Sequence, residues 1–332
     1  MQFYRDEPTA RTSWRLAILM GANTRTYKFA LGSALLELGQ AGRDKVTLRE
    51  LGSLYAARLI RRPAESQQAA AGSPLSDSDF LSVLRRERSE SIDAGQPTEV
   101  LVNAAVRSIP AMVMQKFHHL RATGPVAHTF YELEVSGAHR TVRLTPELHR
   151  VADDPTVLAE ELESRWSIVE ASFDSGIGRA LIQGGVEVDH ESSRILAPVR
   201  RAAVTSVRGA IVGFQHGRCF YCQQQFGDLA SGVHVDHVFP FAWMNTGSWR
   251  GPNLNHVWNL VLACAPCNQA KSARQPTSAE IARLLARNDA IAASPHPLRR
   301  TIEITMNAPG THAAQRRRQF MLNVVNAVTD GD

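Results

Sequence analysis

Cysteine and aromatic residues are scarce in this chain, and long apolar runs are missing from it. Its 332 residues include 4 cysteines, too few for the disulfide scaffold of a small secreted protein. Aromatic residues make up 7% and hydrophobic residues 44% of the chain, a composition that excludes the fibrous and disordered classes. The longest apolar runs, LAILMGA and NLVLACAP, are far shorter than the ~20 residues of a membrane-spanning helix. The first residues also show no secretory signal, so we expect a cytoplasmic protein without a membrane partner.

Excess charge is modest as well, but it is unevenly distributed. The net charge of the chain is +5. From Pro198 onward there are 14 Lys and Arg and 7 Asp and Glu, a net of +7, which leaves 37 − 14 = 23 basic and 32 − 7 = 25 acidic residues before it. A basic C-terminal part indicates an anionic polymer as partner. Ordinary solvated charge explains the same numbers equally well, so charge alone does not decide.

The first 197 residues predict a mainly helical domain with short β-hairpins. Apolar residues recur at helical spacing in TSWRLAILM and TYKFALGSALLELG, and Thr47 and Glu50 form a capping-box sequence before the next helix. HTFYELEV and AHRTVRLT predict two strands joined by a tight turn, and Thr145-Pro146 predicts a new helix start. Further helices are predicted over 79–89, over 97–121 with a bend at Pro110, and over 155–173.

Downstream, GVEVD and RILAP predict a second hairpin, and RRAAVTSVRGAIVGFQHG predicts a helix that leads to Cys219. Thr277 and Glu280 form a second capping-box sequence, and a last helix is predicted around QRRRQFMLNVVNAV. The predicted class is therefore α+β, with helices outnumbering short hairpins. The predicted parts are a helical domain over 1–197, a cysteine-containing domain over 198–275 and a C-terminal helical extension over 276–332.

All four cysteines lie in two CxxC pairs separated by 41 residues: Cys219 and Cys222, then Cys264 and Cys267. This spacing predicts a tetrahedral zinc site. Four thiolates leave no open coordination position, so the zinc would be structural. A cytosolic location disfavours disulfides, and a redox pair would not need a second CxxC. An iron–sulfur cluster is the alternative that the spacing leaves open.

Between the cysteine pairs lie Asp236 and His237 in VDHVFPF and Asn259 in HVWNLVLAC, and Asn268 follows Cys267 directly. Phosphodiester hydrolysis needs a nucleophile made from water, and neutral imidazole is the side chain best suited to activate it near pH 7. It also needs charge neutralisation, which a divalent ion bound by oxygen ligands provides. Neighbouring residues on a strand point to opposite faces, so one shared site requires the strand to end or bulge there. Pro240, shortly afterwards, favours such an end.

The stretches GRCFYC, VDHVFPF and WNLVLACAPCNQAKS together resemble the HNH endonuclease motif, over about residues 216–275. The resemblance implies a ββα-metal unit that holds one divalent ion. By position, His237 would be the general base, Asp236 and Asn268 would ligate the catalytic ion, and Asn259 would hold the loop that orients His237. Asn268 replaces the last histidine of the motif, a change that favours Mg²⁺ or Mn²⁺ because both ligands are then oxygens.

The resemblance also implies a DNA endonuclease that leaves 3′-hydroxyl and 5′-phosphate ends, similar to bacterial restriction and phage-defence nucleases. Arg250, Lys271 and Arg274 lie near the motif and are predicted to contact phosphates. One such site cuts one strand at a time, so a double-strand break requires a homodimer or successive nicks. Specificity must come from the helical domain or a regulatory partner. Two alternatives stay open: a non-catalytic zinc module that binds nucleic acid or protein, and a nuclease for RNA or structured DNA.

Overall fold

The structure of the protein is a computed structural model. It describes residues 8–20, 25–64, 66, 68–69, 75–120, 124–136, 139–173, 187–189, 194–196, 203–245 and 249–329. The described residues divide into two compact units, a helical unit that ends at Phe173 and a second unit that begins at Glu187. Residue 197, the predicted domain boundary, lies after this division. No helix in the described ranges is long and apolar enough to cross a membrane.

Seven labelled helices form most of the helical unit, as the sequence predicts. They are α1 (Ala10–Leu19), α2 (Tyr27–Gln40), α3 (Leu48–Ile60), α4 (Phe80–Asp93), α5 (Glu99–Ile109), α6 (Pro146–Ala152) and α7 (Thr156–Phe173). The Thr47 hydroxyl accepts the N–H of Glu50 while the Glu50 carboxylate accepts the N–H of Thr47, which confirms the capping box before α3. After α5 the chain widens into a π-helical turn that begins at Pro110, the predicted site of a bend.

Short antiparallel strands complete the helical unit. They are β1 (Lys45–Thr47), β2 (His119–Leu120), β3 (Gly124–Pro125), β4 (Tyr131–Ser136) and β5 (His139–Leu144). Tyr131 pairs with Leu144 in the β4–β5 hairpin, and β1 adds to the free side of β5. The predicted hairpin is confirmed, although its turn lies outside the described residues.

The core of the helical unit combines aromatic packing with buried polar groups. The Trp14 ring lies 5.1 Å from that of Phe130 and 5.8 Å from that of Phe117. His118 is 7% exposed, and its Nε2 accepts the Phe130 N–H at 3.0 Å. Burial lowers the pKa of His118 to about 4, so the ring is neutral at physiological pH.

The second unit contains five strands and five α-helices among its described residues. The strands are β6 (Glu187–Asp189), β7 (Arg194–Leu196), β8 (Ala203–Ser206), β9 (Val233–His237) and β10 (Leu260–Cys264). The helices are α8 (Val207–Ile211), α9 (Ala265–Lys271), α10 (Ser278–Ala292), α11 (Leu298–Thr305) and α12 (Ala313–Thr329). The pairing of β6 with β7 confirms the second predicted hairpin.

The helix predicted to lead to Cys219 is wrong in its first part. Residues 203–206 form β8, which pairs with β7 through an irregular register. Val204 and Thr205 are β-branched, which favours a strand once a neighbouring strand is available. The helix begins only at Val207 and gives way to a 3₁₀ turn at Val212.

A two-stranded antiparallel sheet followed by a short helix occupies the segment with the two cysteine pairs. Residue His237, the last of β9, pairs with Leu260, the first of β10. The strand β10 ends at Cys264, α9 begins at the next residue, and α9 contacts both strands. This strand–strand–helix order agrees with the order that the resemblance implies.

The helices after residue 276 belong to the same compact unit as this sheet. Thr277 caps α10 in the predicted capping box, which is therefore confirmed. Arg287 of α10 is 1% exposed and donates to the carbonyls of Val257 at 3.2 Å, Trp258 at 3.0 Å and Leu260 at 2.8 Å. These carbonyls flank Asn259, so α10 braces the start of β10.

Candidate functional site

The four cysteines converge on one point. The Sγ atoms of Cys219, Cys222, Cys264 and Cys267 all lie within 4.8 Å of one another, and none is in a disulfide. Between Cys222 and Cys264 the Sγ–Sγ distance is 3.8 Å. A tetrahedron with zinc–sulfur bonds of about 2.3 Å has edges of about 3.8 Å. The cluster is therefore compatible with a four-thiolate zinc site, as the spacing predicts.

Backbone hydrogen bonds hold the first cysteine turn, residues 219–222, against β10. The Phe220 N–H donates to the Leu262 carbonyl at 2.9 Å, and the Cys264 N–H donates to Cys219 Sγ at 3.4 Å. Gln223 closes the turn with a φ of +62° and donates its N–H to the Cys219 carbonyl at 3.0 Å. The first turn thus has a fixed place relative to the sheet.

His237 lies where β9 ends, with its ring partly buried. Its Nε2 is 2.8 Å from Oδ1 of Asn255, which is an acceptor, so Nε2 carries the proton and Nδ1 carries the lone pair. Burial lowers the pKa of His237, and Lys271 acts in the same direction, against the raising effects of Asn255 and Asp236. The ring is therefore a neutral imidazole at pH 7, the form that accepts a proton.

Asp236 is surrounded by three donors. Its Oδ1 accepts the N–H of His237 at 2.8 Å, and its Oδ2 accepts the hydroxyl of Tyr221 at 2.5 Å. The Nζ of Lys271 lies 3.7 Å from Oδ1. Because β9 ends at His237, the strand end that the Asp-His pair requires is present.

Lys271 is more buried than a phosphate contact would be. Its side chain is 2% exposed, and Nζ donates to the His237 carbonyl as well as facing Asp236. Burial lowers its pKa, while the charge of Asp236 raises it. In this buried position the ammonium group of Lys271 balances the negative charge of Asp236 inside the site. Its burial does not favour the predicted contact with a phosphate at the surface.

Asn259 joins the two ends of the connection between β9 and β10. It is fully buried, its Oδ1 accepts the Phe239 N–H, and its Nδ2 donates to the carbonyls of Phe239 and Leu254, each at 2.8 Å. Leu254 directly precedes Asn255, the partner of His237. Asn259 therefore has the contacts of a residue that holds the His237 loop, and it acts on His237 through that loop.

The other predicted site residues lie nearby. Asn268 is a partly exposed residue of α9, the helix that contacts the strand of Asp236. Arg274 binds Glu280 at 2.6 Å, and its guanidinium carbon lies 5.9 Å from the centre of the Tyr221 ring. Arg250 is exposed on the connection between the strands.

Tyr221 and Asn255, the partners of Asp236 and His237, were not predicted from the sequence. Tyr221 stands between two cysteines, and Asn255 lies in an asparagine-rich segment, but neither position predicts a long-range partner. The contact of Tyr221 with Asp236 depends on the packing of the first cysteine turn beside the sheet. The contact of Asn255 with His237 depends on how the connection between β9 and β10 folds.

No protein-family model, curated protein or solved structure matches this chain. The HNH resemblance therefore stays a prediction that rests on the motif residues. Any inference about function therefore rests on the contacts of Asp236 and His237 and on the clustering of the four cysteines.

Proposed function

We propose that the second unit is a divalent-metal-dependent HNH endonuclease that hydrolyses DNA phosphodiester bonds and leaves 3′-hydroxyl and 5′-phosphate ends. The observation that carries the proposal is the partly buried His237, a neutral imidazole whose Nε2–H is bound by Asn255. It lies beside Asp236, in a strand–strand–helix segment that the cysteine cluster adjoins.

His237 is the proposed general base. Its Nδ1 takes a proton from water as the oxygen attacks the phosphorus atom, and the ring then carries a positive charge. The bond between phosphorus and the 3′ oxygen breaks, and the leaving 3′ oxygen takes a proton from solvent water to become the 3′-hydroxyl. The Nε2–H bond to Asn255 strengthens as that charge develops, because a charged donor makes the stronger hydrogen bond. Asp236, next to His237, adds a favourable charge interaction with the protonated ring.

Asp236 and Asn268 would hold the catalytic divalent ion. A carboxylate offers about four acceptor positions, so the three donors described around Asp236 leave room for an ion. A carboxylate and an amide oxygen are ligands that suit Mg²⁺ or Mn²⁺. When bound, the ion supplies positive charge to the phosphate and to the leaving 3′ oxygen.

The cysteine cluster has a structural role in this proposal. Zinc bound by four thiolates has no open position for substrate. Cys264 ends β10 and Cys267 lies in α9, so a zinc ion bound there would fix the junction of strand and helix next to Asn268. Arg274, with 43% of its side chain exposed, and Arg250 remain proposed contacts to phosphate. A cytoplasmic role in restriction or phage defence rests on the resemblance alone.

Cleavage of supercoiled plasmid with Mg²⁺ or Mn²⁺ tests the proposal. His237→Ala is expected to lower the cleavage rate at least about 100-fold, the usual contribution of a general base. His234→Ala is the matched control, because His234 is an exposed histidine of the same strand, and it is expected to cleave like the wild type.

Two results would contradict the proposal. Equal cleavage by wild type and His237→Ala would show that His237 is not the base. A folded, zinc-loaded wild type that is inert toward plasmid, single-stranded DNA and RNA would favour the non-catalytic binding module. Cleavage of RNA or single-stranded DNA in preference to plasmid would keep the mechanism and change the substrate.

A further inference from the structure

Tyr221 connects the cysteine cluster with the proposed catalytic carboxylate. It is a residue of the first cysteine turn, directly before Cys222. Its hydroxyl donates to Oδ2 of Asp236 at 2.5 Å. The ring is partly buried, and a phenol is protonated at neutral pH, so the hydroxyl is the donor in this bond.

The Tyr221 ring has a fixed environment. The rings of Phe220 and Tyr221 are 5.2 Å apart and perpendicular, and the Arg274 guanidinium lies over the Tyr221 ring. Arg283 of α10 donates to the Phe220 carbonyl, and its guanidinium lies 5.4 Å from the Phe220 ring. The turn that carries Tyr221 is therefore held from both sides, by the sheet and by α10.

We propose that Tyr221 is a positioning residue that couples zinc in the cysteine cluster to divalent-ion binding at Asp236. The inference rests on the proposed function. With zinc bound, the first cysteine turn is closed and the hydroxyl of Tyr221 fixes one oxygen of the carboxylate. Loss of zinc releases Cys219 and Cys222, so the turn keeps only its hydrogen bonds to β10 and its contact with Arg283, and the hydroxyl of Tyr221 holds Asp236 less firmly.

The physical reason is the orientation of a metal ligand. An ion gains most from a carboxylate that is already held in place, and loss of an orienting hydrogen bond typically costs 10- to 100-fold in metal affinity. The hydroxyl of Tyr221 is a neutral donor, so it fixes Oδ2 without bringing a positive charge that would repel the ion. Lys271, on the Oδ1 side, does bring such a charge.

Binding of Mn²⁺ to the DNA-free, zinc-loaded protein, followed by electron paramagnetic resonance, tests the coupling without any cleavage. Tyr221→Phe removes only the hydroxyl and is expected to bind Mn²⁺ about 10- to 100-fold more weakly while it keeps its zinc. Tyr131→Phe is the matched control, since the Tyr131 hydroxyl donates to the Met114 carbonyl in the helical unit. It is expected to match the wild type. Asp236→Asn, which removes the negative charge of the ligand, is expected to bind Mn²⁺ more weakly than Tyr221→Phe.

The outcomes separate this inference from the proposed function. Wild-type Mn²⁺ affinity in Tyr221→Phe would overturn the coupling and leave the nuclease proposal intact. Wild-type binding no stronger than that of Asp236→Asn would overturn both. Because coupling is reciprocal, saturating Mg²⁺ should also raise the equilibrium affinity of the wild type for zinc, measured by competition with a zinc-selective chelator. An unchanged zinc affinity would overturn the coupling even if Tyr221→Phe failed to fold.

Discussion

Replacing Asn259 with alanine tests whether one buried amide holds the connection between β9 and β10. The substitution leaves three buried backbone groups without their partner: the N–H and carbonyl of Phe239 and the carbonyl of Leu254. Each unsatisfied buried group costs about 1–3 kcal/mol. Partial relaxation of the loop recovers some of that sum, so we expect a loss of about 3–5 kcal/mol in the free energy of unfolding.

Asn288→Ala provides the matched control. Asn288 is as fully buried as Asn259, but it donates one described bond, to the Trp258 carbonyl at 2.9 Å. That carbonyl also accepts from Arg287, so it keeps a partner and the expected loss is about 1 kcal/mol. The two variants thus differ in how many backbone groups lose their partner.

The assay is urea unfolding of the zinc-loaded protein, followed by zinc release to a chromogenic chelator, which reports on the second unit. Asn259→Ala should unfold at clearly lower urea than Asn288→Ala. Under the proposed function it should also cleave DNA more slowly, because the loop positions Asn255 against His237. If Asn259→Ala lost less than about 1 kcal/mol, no more than the control, the three hydrogen bonds could not be what holds the loop.

Two further predictions concern the cysteine cluster and the helical unit. Native mass spectrometry should find one zinc per chain, and Cys222→Ser should lose it to a chelator that leaves the wild type loaded, since one of four thiolates is gone. A second prediction concerns His118, whose pKa of about 4 in the folded protein lies below the ordinary value of 6.5. The free energy of unfolding is therefore highest above pH 6.5, where the ring is neutral in both states, and it decreases as the pH falls toward 4, because the unfolded state takes up the proton first. At pH 5 this term lowers the free energy of unfolding of the wild type by about 2 kcal/mol. His118→Gln, which keeps an acceptor for the Phe130 N–H, should remove this pH dependence of the urea midpoint, and an unchanged pH dependence would contradict the assignment to His118.

Local features of this fold could be predicted from sequence, while contacts between distant segments could not. The capping boxes at Thr47 and Thr277 could be predicted because all the residues of a capping box lie within four consecutive positions. The CxxC spacing likewise predicts the cysteine cluster. The strand β8 was mistaken for a helix because its identity depends on pairing with β7. The burial of Lys271 and the contact of Tyr221 with Asp236 likewise depend on how the sheet, α9 and the first cysteine turn assemble.

Because Arg287 of α10 binds the start of β10, the segment that carries the motif depends on a helix outside it. A fragment cut at residue 275, where the motif resemblance ends, would lose the guanidinium that binds the carbonyls on both sides of Asn259. Those carbonyls lie in the interior, and without a donor each is costly to keep there. In domain exchange between proteins, the transferable piece is therefore the whole of the second unit through α12, and natural recombination or a designed fusion would have to join the chain between Phe173 and Glu187.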